Sequence, residues 1–265
     1  MSTYRSRATS SESMLDELFG TSGLEGDLPP TEPDPGFPLR PFAAAMPMDD
    51  LTVTEPRTDE SPAERLFRRA MEAASRGRAS EAIHRYRELL QLDPSHVSAR
   101  NNLSQLLDTT GDPEEALEQL TAALRVTPDD VHLLVSRGAI NGRLKRYVEA
   151  EGDLRKALRL SPESMNAHLT LGMVLWRKGM AMPAAEALRK AITLEPTHAG
   201  AHYYLGEALN QAGDYRNARA ALERALELAP AQGRTLRLLG RVLDRLKLPD
   251  EAQVMYRRAR DAGDT

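Results

Sequence analysis

The chain has no cysteine, and aromatic residues make up only 5% of its 265 positions. Without Cys there is no disulfide, no thiol nucleophile, no Cys-ligated zinc or iron–sulfur cluster and no bacterial lipoprotein anchor. No apolar run approaches the roughly 18 residues needed to cross a membrane, and the opening residues, MSTYRSRATSSESM, lack the apolar core of a secretory signal. These absences predict a soluble cytoplasmic protein with no membrane span. The phosphate-loop pattern, the dinucleotide glycine fingerprint and the two-His metalloprotease helix are missing too. The six histidines, at 84, 96, 132, 168, 198 and 202, include one pair a repeat period apart, His168 and His202, which is too few ligands for a metal site. Neither an enzyme nor a cofactor is expected.

What is present is unevenly distributed. The net charge of -4 is a difference between two regions: residues 1–61 hold twelve acids and four Arg, net -8, and the remainder is +4. Eight of the 17 prolines fall in the same 61 residues. A segment so acidic and Pro-rich cannot bury enough apolar surface to offset its ordering entropy, so it reads as a disordered arm. Within it, Met14, Leu15, Leu18 and Phe19 fall on one helical stripe between Ser13 and Gly20, with Ser13 and Asp16 at capping-box-like spacing. So short a helix needs a partner to form. Residues 13–19 are therefore a candidate binding motif, for this chain's own body or for another protein.

Beyond residue 61 the chain repeats. Pro94, Pro128, Pro162, Pro196 and Pro230 recur every 34 residues. In register with them runs an unbroken Ala column: Ala82, Ala116, Ala150, Ala184, Ala218 and Ala252. A small-residue column reads Ala70, Ser104, Gly138, Gly172, Gly206 and Gly240, and a large one Tyr86, Leu120, Leu154, Leu188, Leu222 and Tyr256. Apolar spacing within each period is helical, in two blocks divided at Gly77, Gly111, Gly179 and Gly213. Lys145 and Lys247 replace the turn glycine in the third and sixth copies, so those turns are either built differently or carry left-handed strain.

This pattern resembles the tetratricopeptide repeat. The fifth copy carries it most fully, with Ala201, Tyr204, Leu205, Gly206, Gly213, Tyr215, Ala218, Ala225 and Pro230. Six copies are expected, at about 63–96, 97–130, 131–164, 165–198, 199–232 and 233–265, so residues 62–265 form one repeat domain behind the arm. The resemblance implies an all-α fold: helix-turn-helix hairpins stacked as a right-handed superhelical solenoid, with the first helices lining a concave groove. Glu72 and Arg260 replace apolar residues of their columns at the two ends, as terminal repeats of a solenoid require.

The groove columns lie on the first helices, opposite the packing stripe. The candidate peptide-binding residues are Asn101 and Gln105 at one end, Val135, Leu169, Met173, Trp176, Tyr203 and Asn210 in the middle, and Arg237 and Arg241 at the other end. An apolar centre flanked by amides and arginines suits a peptide or an amphipathic segment of a partner protein. The expected function is a non-enzymatic interaction scaffold or adaptor. The alternative is a chaperone or secretion-type holdase that shields an apolar client segment. No nucleic acid is expected, because the body is only +4 and the centre of the groove is apolar.

Overall fold

The structure, a computed structural model, describes residues 60–262. The arm up to residue 59, with its segment 13–19, lies outside the described residues. Among those residues there are twelve helices and no strand: α1 (Pro62–Ser75), α2 (Ala79–Leu92), α3 (Val97–Thr110), α4 (Pro113–Val126), α5 (Val131–Arg143), α6 (Tyr147–Leu160), α7 (Met165–Arg177), α8 (Ala181–Leu194), α9 (Ala199–Gln211), α10 (Tyr215–Leu228), α11 (Gly233–Arg245) and α12 (Pro249–Asp261). The helices pair as antiparallel hairpins, and the described residues fall into two compact units, 60–133 and 134–262.

The 34-residue period extends to the caps of α3, α5, α7 and α9, while α11 has no side-chain cap bond. Ser61 opens α1 with a full capping box: its hydroxyl accepts from the Glu64 amide at 3.2 Å, and its own amide donates to the Glu64 carboxylate at 2.7 Å. In the next copies the capping acceptors are His96 Nδ1, an Asp130 carboxylate oxygen, the Ser164 hydroxyl and His198 Nδ1. They take the amides of Ala99, Leu133, Ala167 and Ala201 at 3.0–3.3 Å. Each satisfies one of the orphan donors of a first turn.

Each hairpin closes where the small column meets the large one. A methyl group at Gly206 would lie 2.5 Å from the Leu222 side chain, and one at Gly172 or Gly240 would meet Leu188 or Tyr256 at the same distance. The missing side chain is what lets the two helices approach. Ala82, Ala116, Ala150, Ala184 and Ala218, on the second helices, are fully buried.

The third hairpin departs from this apolar scheme. Where the second, fourth, fifth and sixth copies place Leu103, Leu171, Leu205 and Leu239, it has Arg137, which donates two bonds to Asp153 at 2.8 and 2.6 Å. Those bonds hold the guanidinium pKa above its ordinary value. Asn141, 6% exposed, stands in the column of Leu107, Leu175, Leu209 and Leu243. Glu151 is also buried, and takes Arg155 at 3.1 Å and Lys178 at 2.6 Å. A buried ion pair gains little over an apolar pair, whereas halving it strands a charge. Asp153→Ala is therefore expected to cost about 2–3 kcal/mol. The double substitution Arg137→Leu/Asp153→Ala installs the Leu and Ala of the fourth and fifth copies, and chemical denaturation should find it within about 1 kcal/mol of wild type or more stable.

All six hairpin turns place one residue in the left-handed region. Four are glycines, with φ between 73° and 95°, and the other two are Lys145 at 59° and Lys247 at 61°. The lysine turns thus keep the glycine geometry and carry its strain, which for a residue with a Cβ is about 1–2 kcal/mol. Lys145→Gly or Lys247→Gly should raise the unfolding free energy by roughly 0.5–1 kcal/mol, after allowance for the more flexible unfolded chain. A denaturant midpoint that does not rise would contradict this account.

Candidate functional site

Within residues 134–262 the first helices α7, α9 and α11 lie side by side, α9 touching both of the others. Helical spacing turns Leu169, Met173 and Trp176, then Tyr203 and Asn210, then Arg237 and Arg241 to the face opposite the hairpin packing stripe. Three of these helices contribute to one connected group. The Trp176 and Tyr204 ring centres are 5.8 Å apart, and Tyr204 meets Tyr203 edge to face at 5.1 Å. The Arg234 guanidinium lies over the Tyr203 ring, 4.5 Å from its centre, and 5.9 Å from that of Tyr204. This is cation–π geometry. The Tyr203 hydroxyl donates to a Glu207 carboxylate oxygen at 2.7 Å. Burial first, and then the neighbouring Glu207 charge, push the Tyr203 pKa strongly upward, so the phenol stays a neutral donor.

The sequence-derived residues differ in what they offer a ligand. Trp176, Leu169, Val135 and Asn210 are half-buried, and Arg237 and Arg241 are exposed. Met173 and Tyr203, at 5% and 8% exposure, show only a rim of surface and act mainly as the floor beneath the others. Asn101 and Gln105 belong to the other unit, on α3, where both are half-buried. The side-chain oxygen of Asn101 is buried and has no hydrogen-bond partner, an acceptor in want of a donor.

Tyr204, Arg234 and Glu207 also belong to this group, and Tyr204 was not among the residues singled out from the sequence. Tyr204 carried a signal: its column otherwise reads Arg68, Asn102, Ser136, Thr170 and Leu238, so the fifth copy alone is aromatic there. On α11, Asp244 accepts the Tyr256 hydroxyl at 2.6 Å; burial and this bond raise the Tyr256 pKa to about 12.

The histidines a period apart have structural partners. His168 Nε2 donates to the Pro162 carbonyl and His202 Nε2 to the Pro196 carbonyl, both at 2.9 Å. Arg100 does the same for Pro94 at 3.0 and 2.8 Å. A first-helix side chain thus ties down the carbonyl of the proline that ends the preceding hairpin. Among the described residues no group of three or more His, Asp or Glu is placed to hold a metal. Burial lowers the His168 pKa below its usual 6.5, against the opposing pull of the Pro162 carbonyl. The unfolded chain therefore binds the proton more tightly, and this contribution to stability is lost as pH falls from about 6.5 through the folded-state value. An NMR titration should place His168 below 6.5, and His168→Gln should flatten the acid limb of stability against pH.

Tandem antiparallel hairpins, with a small column set against a large one and a second set of side chains spread along the first helices, define the class: an α-hairpin repeat protein with an extended side-chain face. Models of the tetratricopeptide repeat match residues 73–137 and 197–263, and a model described as anaphase-promoting complex, cyclosome, subunit 3 matches 143–225. The chain belongs to the tetratricopeptide repeat family, whose repeats are protein-interaction modules. Solved structures agree on the fold. PilF of Pseudomonas aeruginosa is 23% identical with a TM-score of 0.63, over 73% of this chain and 88% of that one. PilW, a widely conserved type IV pilus biogenesis factor, is 20% identical with a TM-score of 0.69, over 74% and 91%. MamA from Desulfovibrio magneticus is 25% identical with a TM-score of 0.57, over 63% and 94%. No curated protein matches the sequence. Among the described residues no helix is long and apolar enough to cross a membrane.

Proposed function

We propose that the chain is a non-enzymatic scaffold whose first-helix face in residues 134–262 binds an acidic segment of a partner protein anchored by apolar side chains. The observation that carries this is the Trp176, Tyr204, Tyr203 and Arg234 cluster, in which the accessible Trp176 ring is backed by two nearly covered Tyr rings and joined to arginine charge across α7, α9 and α11. Aromatic and Arg side chains are the residue types that concentrate binding energy in interfaces. Here Trp176 offers apolar area, Asn210 an amide for peptide backbone, and Arg237 and Arg241 charge for carboxylates. The arm segment 13–19 of this chain has that same acidic, apolar chemistry.

A holdase is the second reading, favoured by apolar side chains elsewhere on the surface. Val148 is 80% exposed and Met182 51%, one period apart at the starts of α6 and α8. A holdase would suppress aggregation of unrelated unfolded clients, whereas a scaffold would not.

The scaffold reading is tested with the full chain and a panel of synthetic helical peptides varied in acidity and apolar content. Trp176 is the only Trp, so its emission reports occupancy. Acidic apolar peptides should shift it, and Arg237→Ala/Arg241→Ala should weaken them about tenfold, with the loss shrinking as salt is raised. Basic peptides that bind equally well would refute the assignment.

A further inference from the structure

The α11 end of this face has a clear charge preference. Arg234, Arg237, Arg241 and Arg245 recur along α11, against the carboxylates of Glu207 and Asp244. Opposed to it in the same chain is a long stretch of one sign: between Arg7 and Arg40 there is no Lys or Arg and there are seven acids, at 12, 16, 17, 25, 27, 32 and 34. The only stripe of four large apolar residues at helical spacing in that stretch is Met14, Leu15, Leu18 and Phe19, with Glu12, Asp16 and Glu17 around it. Its composition is what an aromatic floor rimmed by arginines would select.

A long stretch of chain tethers the segment to the described residues. From Gly20 to Glu60, where the described residues begin, runs a tether of about 40 residues, with a root-mean-square reach of roughly 35 Å as a coil and more with its prolines. A flexible tether that spans to a site holds its segment there at a raised effective concentration. Even a weak intrinsic contact is then largely occupied, and an external ligand must displace it.

We propose that residues 13–19 seat as a short helix on the face formed by α7, α9 and α11 of the same chain, with Leu15, Leu18 and Phe19 against the accessible Trp176 ring and Asp16 and Glu17 toward the α11 arginines, so that the arm competes with the external peptide. This rests on the reading of that face as a site for acidic apolar peptides. The arm is then an internal competitor that sets the affinity threshold a partner must exceed. It is opened by anything that neutralises Asp16 and Glu17 or captures the segment elsewhere.

The test uses the full chain, a variant carrying Leu15→Ser/Leu18→Ser/Phe19→Ser, and a synthetic peptide of residues 10–22 as the probe. Binding is read from Trp176 emission and, independently, from the anisotropy of a labelled probe. The variant should take the probe about tenfold more tightly than wild type, and Asp16→Lys/Glu17→Lys should reproduce much of that gain without removing an apolar side chain. Helical circular dichroism should fall by no more than the seven residues of the released arm helix, since neither variant alters a described residue. Equal affinity of wild type and variant for the probe overturns the proposal and leaves the peptide-binding face standing. Failure of the probe to bind any of the three chains, while other acidic apolar peptides still bind, also overturns it. If wild type gains affinity for the probe on dilution from micromolar to nanomolar protein, the arm sits on a second copy, which overturns the intramolecular assignment.

Discussion

The close approach of two helices over a residue with little or no side chain is the constraint on which the rest depends. Gly138, Gly172, Gly206 and Gly240 abut Leu154, Leu188, Leu222 and Tyr256 so tightly that a methyl group would stand 2.5–2.9 Å from them. Ala and Ser serve in the first two copies, opposite Tyr86 and Leu120. Because this contact recurs every 34 residues, helix lengths, turns and caps are repeated with it. The chain's poverty in aromatics follows, since a core built from backbone approach and Ala columns leaves little space for large rings.

Departures from the repeat are informative because the repeat is so regular. The lysine turns at 145 and 247 keep a left-handed conformation that glycine would adopt freely, so the hairpin geometry overrides the local preference of the residue. In the third hairpin, Arg137 and Asn141 occupy positions that four of the other copies fill with Leu, and Glu151 and Asp153 are buried as well. Ion pairs with good geometry hold that hairpin together, and Lys178 links it to the following turn through Glu151. Such pairs contribute little net stability compared with an apolar core, but they tolerate no partial change.

The aromatic–arginine group shows how a repeat acquires an individual surface. The framework columns recur in all copies, whereas Trp176, Tyr204 and Arg234 each occur once in their columns. Packing explains the recurrent residues. The singular ones lie on the first-helix face, where they stack and pair with one another across three helices. Arginine suits this role because its planar cation stacks on Tyr203 while its N–H groups remain available to carboxylates.

Period, hairpin boundaries, turn positions and the residues of the close helix contact were all legible in the sequence. They depend on local helix geometry and on neighbours at fixed spacing, and six copies make each column visible against chance. The face was legible only in outline. Spacing placed Trp176, Tyr203 and Arg237 on one side of their helices, but it could not tell that Met173 and Tyr203 would be nearly covered while Trp176 stayed accessible. Nor could it show that Arg234 rather than Arg237 lies over Tyr203, or that His168 and His202 would each tie down a proline carbonyl. Those outcomes depend on rotamers and on the packing of one hairpin against the next: each His reaches a proline six positions back across the turn between hairpins, and Tyr203 and Arg234, some thirty positions apart, meet only in the folded chain.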